Sequence, residues 1–90
     1  MPKIFVDSQN NFSVYIYTND HEPPHVHVFI GSKKSRNQAD IKIALGSETE
    51  APRLVAIDPS ISNKNARKAL ILVAEHQEEF LAQWHKIHDP

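Results

Sequence analysis

Apolar and polar positions alternate with a period of two through the first half of the chain. Through the last third they recur at steps of three and four. Phe12, Val14 and Ile16 fall on one face of an extended segment, with Ser13, Tyr15 and Tyr17 on the other. The apolar run at residues 4–6 precedes it across the polar stretch Asp7-Ser8-Gln9-Asn10-Asn11, so the two segments read as a β-hairpin. Residues 25–30 alternate again, Val26, Val28 and Ile30 against His25, His27 and Phe29. So do residues 39–45, with Ile41, Ile43 and Leu45 inward, and residues 54–57 offer one more short strand. Residues 18–24 and 31–38 break the pattern. The first of these carries Asn19-Asp20 and the pair Pro23-Pro24, neither of which can donate to a sheet ladder.

From about residue 63 to residue 88, Ala66, Leu70, Val73, Gln77, Phe80, Trp84 and Ile87 form a stripe at helical spacing. Lys64, Arg67, Lys68, Glu75, Glu78, Glu79 and Lys86 lie off it, and Ser62 suits an N-cap. The expectation is one α+β domain spanning residues 1–90. Its antiparallel sheet has about four strands, opens with a hairpin and packs against one long C-terminal amphipathic α-helix.

Composition narrows the chemistry. The 90-residue chain has no cysteine, which excludes a disulfide framework, a thiolate zinc site and a cysteine nucleophile. Ten basic and eleven acidic residues leave no global field to draw nucleic acid, although six histidines make that balance sensitive to protonation. Near-neutral charge also leaves little repulsion between copies, so a homodimer is compatible with it. With two glycines there is no phosphate-cradling loop. The apolar run at residues 4–6 is too short for a signal core or a membrane span, so the expected location is cytoplasmic, without a membrane partner.

The candidate chemistry sits in Asp20-His21-Glu22-Pro23-Pro24-His25-Val26-His27. Two residues apart on a strand, His25 and His27 leave the same face with Cα atoms roughly 6.5 Å apart. Two imidazoles at that spacing can converge on a divalent transition metal, which needs a third or fourth ligand. His21, Asp20 or Glu22 could provide it from the preceding loop, or His76 from the helix. A metal-free alternative makes His25 and His27 a catalytic acid–base pair for phosphodiester cleavage, with Lys33, Lys34 or Arg36 holding the phosphate. A structural alternative makes the pair a hydrogen-bonded edge with Asp20 accepting from a ring N–H. Lys33, Lys34 and Arg36 are too few for a convincing nucleic-acid patch, so RNA is a weakly supported partner. Glu75-His76 reads as helix surface, His85 and His88 as caps near the helix end, and Trp84 as a core anchor.

The start Met1-Pro2-Lys3-Ile4-Phe5, the segment from Asp20 to Val28, and the helix from Ala69-Leu70 through Glu75-His76 to Trp84 resemble the uncharacterised bacterial family DUF4160. The resemblance runs over nearly the whole chain, and residues 46–60 look longer than in the usual member. It implies a small single-domain bacterial protein, often encoded beside a DUF2442 protein. Such pairs are commonly proposed to be toxin–antitoxin modules, so the expected role is binding a small protein encoded alongside. The alternatives are a histidine-dependent RNA-cleaving toxin, with or without a metal, and a metal- or pH-responsive binding module. The family motif groups Asp20, His21, Pro23, Pro24, His25 and His27 as one unit and assigns none of them a role.

Overall fold

The computed structural model describes residues 3–33, 35 and 38–88. Its elements follow in chain order as β1 (Lys3–Asp7), β2 (Phe12–Tyr15), β3 (His25–Ile30), β4 (Asp40–Ala44), β5 (Arg53–Ile57), α1 (Asn63–Glu75) and α2 (Gln77–His88). The five strands form one antiparallel sheet in the order β1-β2-β3-β4-β5, each paired with its neighbour in sequence. The fold is therefore α+β, with five strands rather than about four. The fifth lies in the segment that looked long for the family, and it pairs with β4 through Ile41↔Ile57 and Ile43↔Leu54.

Register puts the apolar positions of successive strands in rows. Val14 faces Val28, which faces Ile41, and Val26 faces Ile43. All five are fully buried, in one cluster with Phe12, Ile16 and Leu45 and with Ala66, Ala69, Leu72, Val73, Phe80 and Trp84 of the helices. The period-two and helical stripes meet here, and their burial drives the assembly. Truncating a ring such as Trp84 or Phe80 in a core of this kind costs on the order of 3–5 kcal/mol.

One long helix was the expectation; the structure has two, parted at His76. The His76 backbone leaves helical geometry (φ −116°, ψ 21°) while its N–H still donates to Leu72 and Val73. Nothing in residues 75–77 is a proline or glycine, and a one-residue break leaves the three-and-four spacing intact, so periodicity does not register it. Packing holds the bend from both sides. The Phe5 ring sits 4.5 Å from the His76 ring, and His76 stacks on Phe80 at 5.5 Å. Gln77, a polar residue on the apolar stripe, donates from Nε2 to the carbonyls of Leu45, Ser47 and Glu50 at 2.7, 3.1 and 2.8 Å. It ties the start of α2 to the β4–β5 loop. That loop turns at Gly46 (φ +73°), where a Cβ would collide with the Glu50 carbonyl oxygen.

Ser62 caps α1 as its sequence suggests, its Oγ accepting the Asn65 N–H at 3.1 Å. Among the described residues, no helix is long and apolar enough to cross a membrane.

Candidate metal centre

The histidine pair stands on β3, the central strand, so main-chain bonds on both sides fix its backbone. Register also fixes its neighbours: His27 lies between Tyr15 of β2 and Lys42 of β4, and His25 faces Ala44. As alternation requires, the two rings share a face. Their centroids are 5.1 Å apart and nearly perpendicular.

Asp20 reaches them from the β2–β3 loop through a local turn. Its N–H donates to the Tyr17 carbonyl at 3.1 Å, and its Oδ2 accepts the Tyr17 N–H at 3.2 Å. The Glu22–Pro23 peptide that follows is cis. The same Oδ2 lies 3.3 Å from His25 Nε2 and 3.2 Å from His27 Nε2. The three side chains are at most 15% exposed.

The other ring nitrogens are already committed. His25 Nδ1 lies 2.9 Å from the Pro23 carbonyl, which can only accept, so the proton is assigned to Nδ1. His27 Nδ1 lies 2.8 Å from Asp40 Oδ2, which assigns its proton in the same way. Each Nε2 faces the acceptor-only Asp20 carboxylate, and His27 Nε2 lies within hydrogen-bond distance of it, as the structural alternative requires. With the proton on Nδ1 alone, each Nε2 presents a lone pair instead. In that second state three acceptors face one another, an arrangement that can hold a metal ion.

A ring proton or a bound cation can each compensate such a group, and the two differ in the spacing they favour. Extra protons on the imidazoles would make charge-assisted bonds, whose usual length is about 2.7–2.9 Å. The His27–Asp40 contact has that length; the two contacts to Asp20 are 0.4 Å or more longer. Ligand atoms at about 2.0–2.1 Å from a tetrahedral zinc lie roughly 3.3 Å from one another. The Asp20 contacts match this spacing. Asp20, His25 and His27 can offer one ligand atom each, all within 4.8 Å of one another. Asp40 and the Pro23 carbonyl would then hold the rings from behind, as the outer partners of metal-binding histidines commonly do.

Around this group, aromatic rings limit access. Tyr17 lies against His27 at 4.7 Å and Trp84 against His25 at 5.2 Å. Burial, followed by the charges of Asp40 and Asp20, pushes the Tyr17 phenol up to about 12, so it stays neutral. On the open side lies a cavity of about 350 Å³, lined by the three candidate ligands and also by His21, Glu22, Lys42 and Arg53.

A comparison with protein families matches the domain of unknown function DUF4160 over residues 11–85. The chain belongs to the DUF4160 family. No curated protein and no solved structure matches it. The match takes in the loop and strand that build the site of this DUF4160 protein.

Of the residues singled out by sequence, the structure brings together Asp20, His25 and His27. His21 lines the same cavity without joining the three-atom group. Glu22 accepts from the Trp84 indole N–H at 3.3 Å instead of turning to the histidines. His76 is not brought to the centre: its ring packs on Phe5 and Phe80, and its Nδ1 bonds Glu79 at 3.1 Å. Lys33 extends over the Tyr17 and Phe29 rings, while Lys34 and Arg36 lie outside the described residues. His88 stacks on Trp84 at 3.8 Å and bonds its carbonyl through Nδ1, a cap on the last turn. Sequence reasoning missed Asp40, Lys42 and Arg53. The signal for the first two was the alternation of residues 39–45, which sets Asp40 and Lys42 opposite the inward isoleucines.

Proposed function

We propose that this protein is a metal-binding domain whose centre holds one divalent transition metal, zinc by preference, through Asp20 Oδ2, His25 Nε2 and His27 Nε2. The observation that carries the reading is the convergence of both Nε2 atoms on one Asp20 oxygen at 3.2–3.3 Å, all three within 4.8 Å of one another, with both outer imidazole nitrogens occupied. Three protein ligands leave at least one coordination position free beside the cavity. Closed structural zinc sites use four protein ligands, whereas reactive sites use three and keep a place for water or a bound molecule. The centre is of the open kind. Metal-free acid–base work by His25 and His27 has less support, because both Nε2 atoms are turned onto one carboxylate rather than held ready for a substrate.

Metal analysis of protein purified without chelator tests this. Wild type is expected to carry about one metal per chain after zinc is supplied, and the His25→Ala plus His27→Ala variant none. A wild type that neither retains zinc nor gains thermal stability from it overturns the reading.

A second reading keeps the protein-binding role. Val6 and Ile71 are 56% and 55% exposed, and both line a cleft between β1 and α1 with Phe5 and Leu72. Two exposed aliphatic side chains in a cleft otherwise lined by polar residues such as Asn10, Lys68 and Glu75 suit the apolar core and polar rim of a protein contact. Co-purification with the protein encoded alongside, and its loss on Val6→Glu plus Ile71→Glu, tests that role.

A further inference from the structure

Two cations line the open side of the centre, and neither has an ion-pair partner among the described residues. Their positions follow from the sheet. Lys42 is the cross-strand neighbour of His27, so its stem rises from the same face. Arg53 pairs with Ala44, which pairs with His25, making a row of three across β3, β4 and β5. The middle member of that row has only a methyl group, and the cavity extends over it toward Arg53.

We propose that the metal-loaded centre binds a tetrahedral oxyanion, a phosphate or phosphoryl group, between the metal, Lys42 and Arg53. The inference rests on the metal reading above. The charged residues lining the cavity are Asp20 and Glu22 against Lys42 and Arg53, which balance when the histidines are neutral. An anion therefore gains little from the metal-free pocket. A divalent ion leaves it with an excess of two positive charges, and by linkage the anion tightens the metal in return. The positive poles stand on three different elements: the loop–β3 centre, β4 and β5. A carboxylate has two oxygens to offer them, whereas a phosphoryl group has three or more. Arginine matches a pair of those oxygens as a planar fork, and lysine serves as a point charge.

The experiment uses the full chain loaded with Co²⁺, whose visible absorption reports its ligands, titrated with inorganic phosphate and separately with 5′-AMP. Phosphate is expected to change the spectrum and to bind the loaded protein at least about tenfold more tightly than the metal-free protein, measured by calorimetry. Lys42→Ala plus Arg53→Ala should still take up one Co²⁺ per chain and lose about tenfold in phosphate affinity. Tighter binding of 5′-AMP than of phosphate assigns the site to a phosphoester; tighter binding of phosphate assigns it to the free anion. If Co²⁺ loads fully but phosphate binds equally well with and without it, or equally well to the double variant, the anion site is overturned and the metal centre stands. If Co²⁺ does not load, both fall.

Discussion

His27 Nδ1 and Asp40 Oδ2 lie 2.8 Å apart, the shortest of the side-chain contacts around the histidine pair. Asp40 stands one residue along β4 from the residue facing Val28, so it reaches His27 diagonally across the sheet. The bond fixes the imidazole tautomer and turns its other nitrogen into the site. In the proposed metal centre Asp40 is thus a positioning residue, not a ligand. Asp40→Ala is expected to weaken zinc binding by roughly 10–100-fold while leaving all three ligands in place. Competition against a chromophoric chelator measures it, and an unchanged affinity would remove the outer-partner role.

Asp20→Asn separates crowding from coordination. With both ring protons on Nδ1, the Asp20 carboxylate of the metal-free protein faces two lone pairs; an amide could donate to one of them. The variant should therefore unfold at the same temperature as metal-free wild type or higher, gaining on the order of 1 kcal/mol from the new hydrogen bond. It should also lose the stabilisation that zinc confers. Zinc at a hundred times its dissociation constant stabilises a folded protein by about 2.7 kcal/mol, which in a domain of this size raises the melting temperature by roughly 10–20 °C. Thermal unfolding of both proteins with and without zinc tells these effects apart. A zinc shift retained by Asp20→Asn would show that the carboxylate is not a ligand.

Much of this arrangement was legible in the sequence, and the reason is geometric. Alternation along residues 25–30 is a local property, so the shared face of His25 and His27 could be read without knowing the sheet. The same holds for the inward Ile41 and Ile43. What alternation does not give is register. Asp40 and Lys42 sit on the right face of β4 by periodicity, but only the pairing His27↔Lys42 brings them to the histidines. Arg53 is further removed, since it reaches the cavity through two successive registers and past an irregularity between Lys42 and Ile43. Helical spacing had a matching blind spot. The stripe from Ala66 to Ile87 contains Gln77, and its polar side chain marked the place where α2 grips the β4–β5 loop.

That grip should be costly to lose. Gln77 Nε2 answers three main-chain carbonyls, two of them part-buried, and a truncated side chain leaves them without that donor. Gln77→Ala is expected to destabilise the protein by about 1–3 kcal/mol. Gly46→Ala should also destabilise, through the left-handed backbone and the Cβ contact with the Glu50 carbonyl. Because both act on the β4–β5 loop, their combined effect should fall short of the sum. Urea unfolding of the two variants and the double variant measures this; additive losses would mean that Gln77 and Gly46 support separate features.

Tyr17 provides a spectroscopic check on the surroundings of the histidines. Burial comes first among the causes that push its phenol up to about 12, and the carboxylates of Asp40 and Asp20 add to it. An unfolded tyrosine ionises near 10. The folded state therefore holds this proton more tightly than the unfolded state does. Its contribution to stability is complete below about pH 10 and is lost as pH rises toward 12. Absorbance titration of the metal-free protein near 295 nm should show a tyrosinate step near pH 12 that disappears in Tyr17→Phe. In Asp40→Asn that step should move toward lower pH, since the largest of the charges opposing ionisation is gone, while burial keeps it above the ordinary value. A Tyr17 step that stays in place when Asp40 is neutralised would mean that the Asp40 carboxylate does not act on the phenol, and the charge arrangement drawn around His27 would need revision.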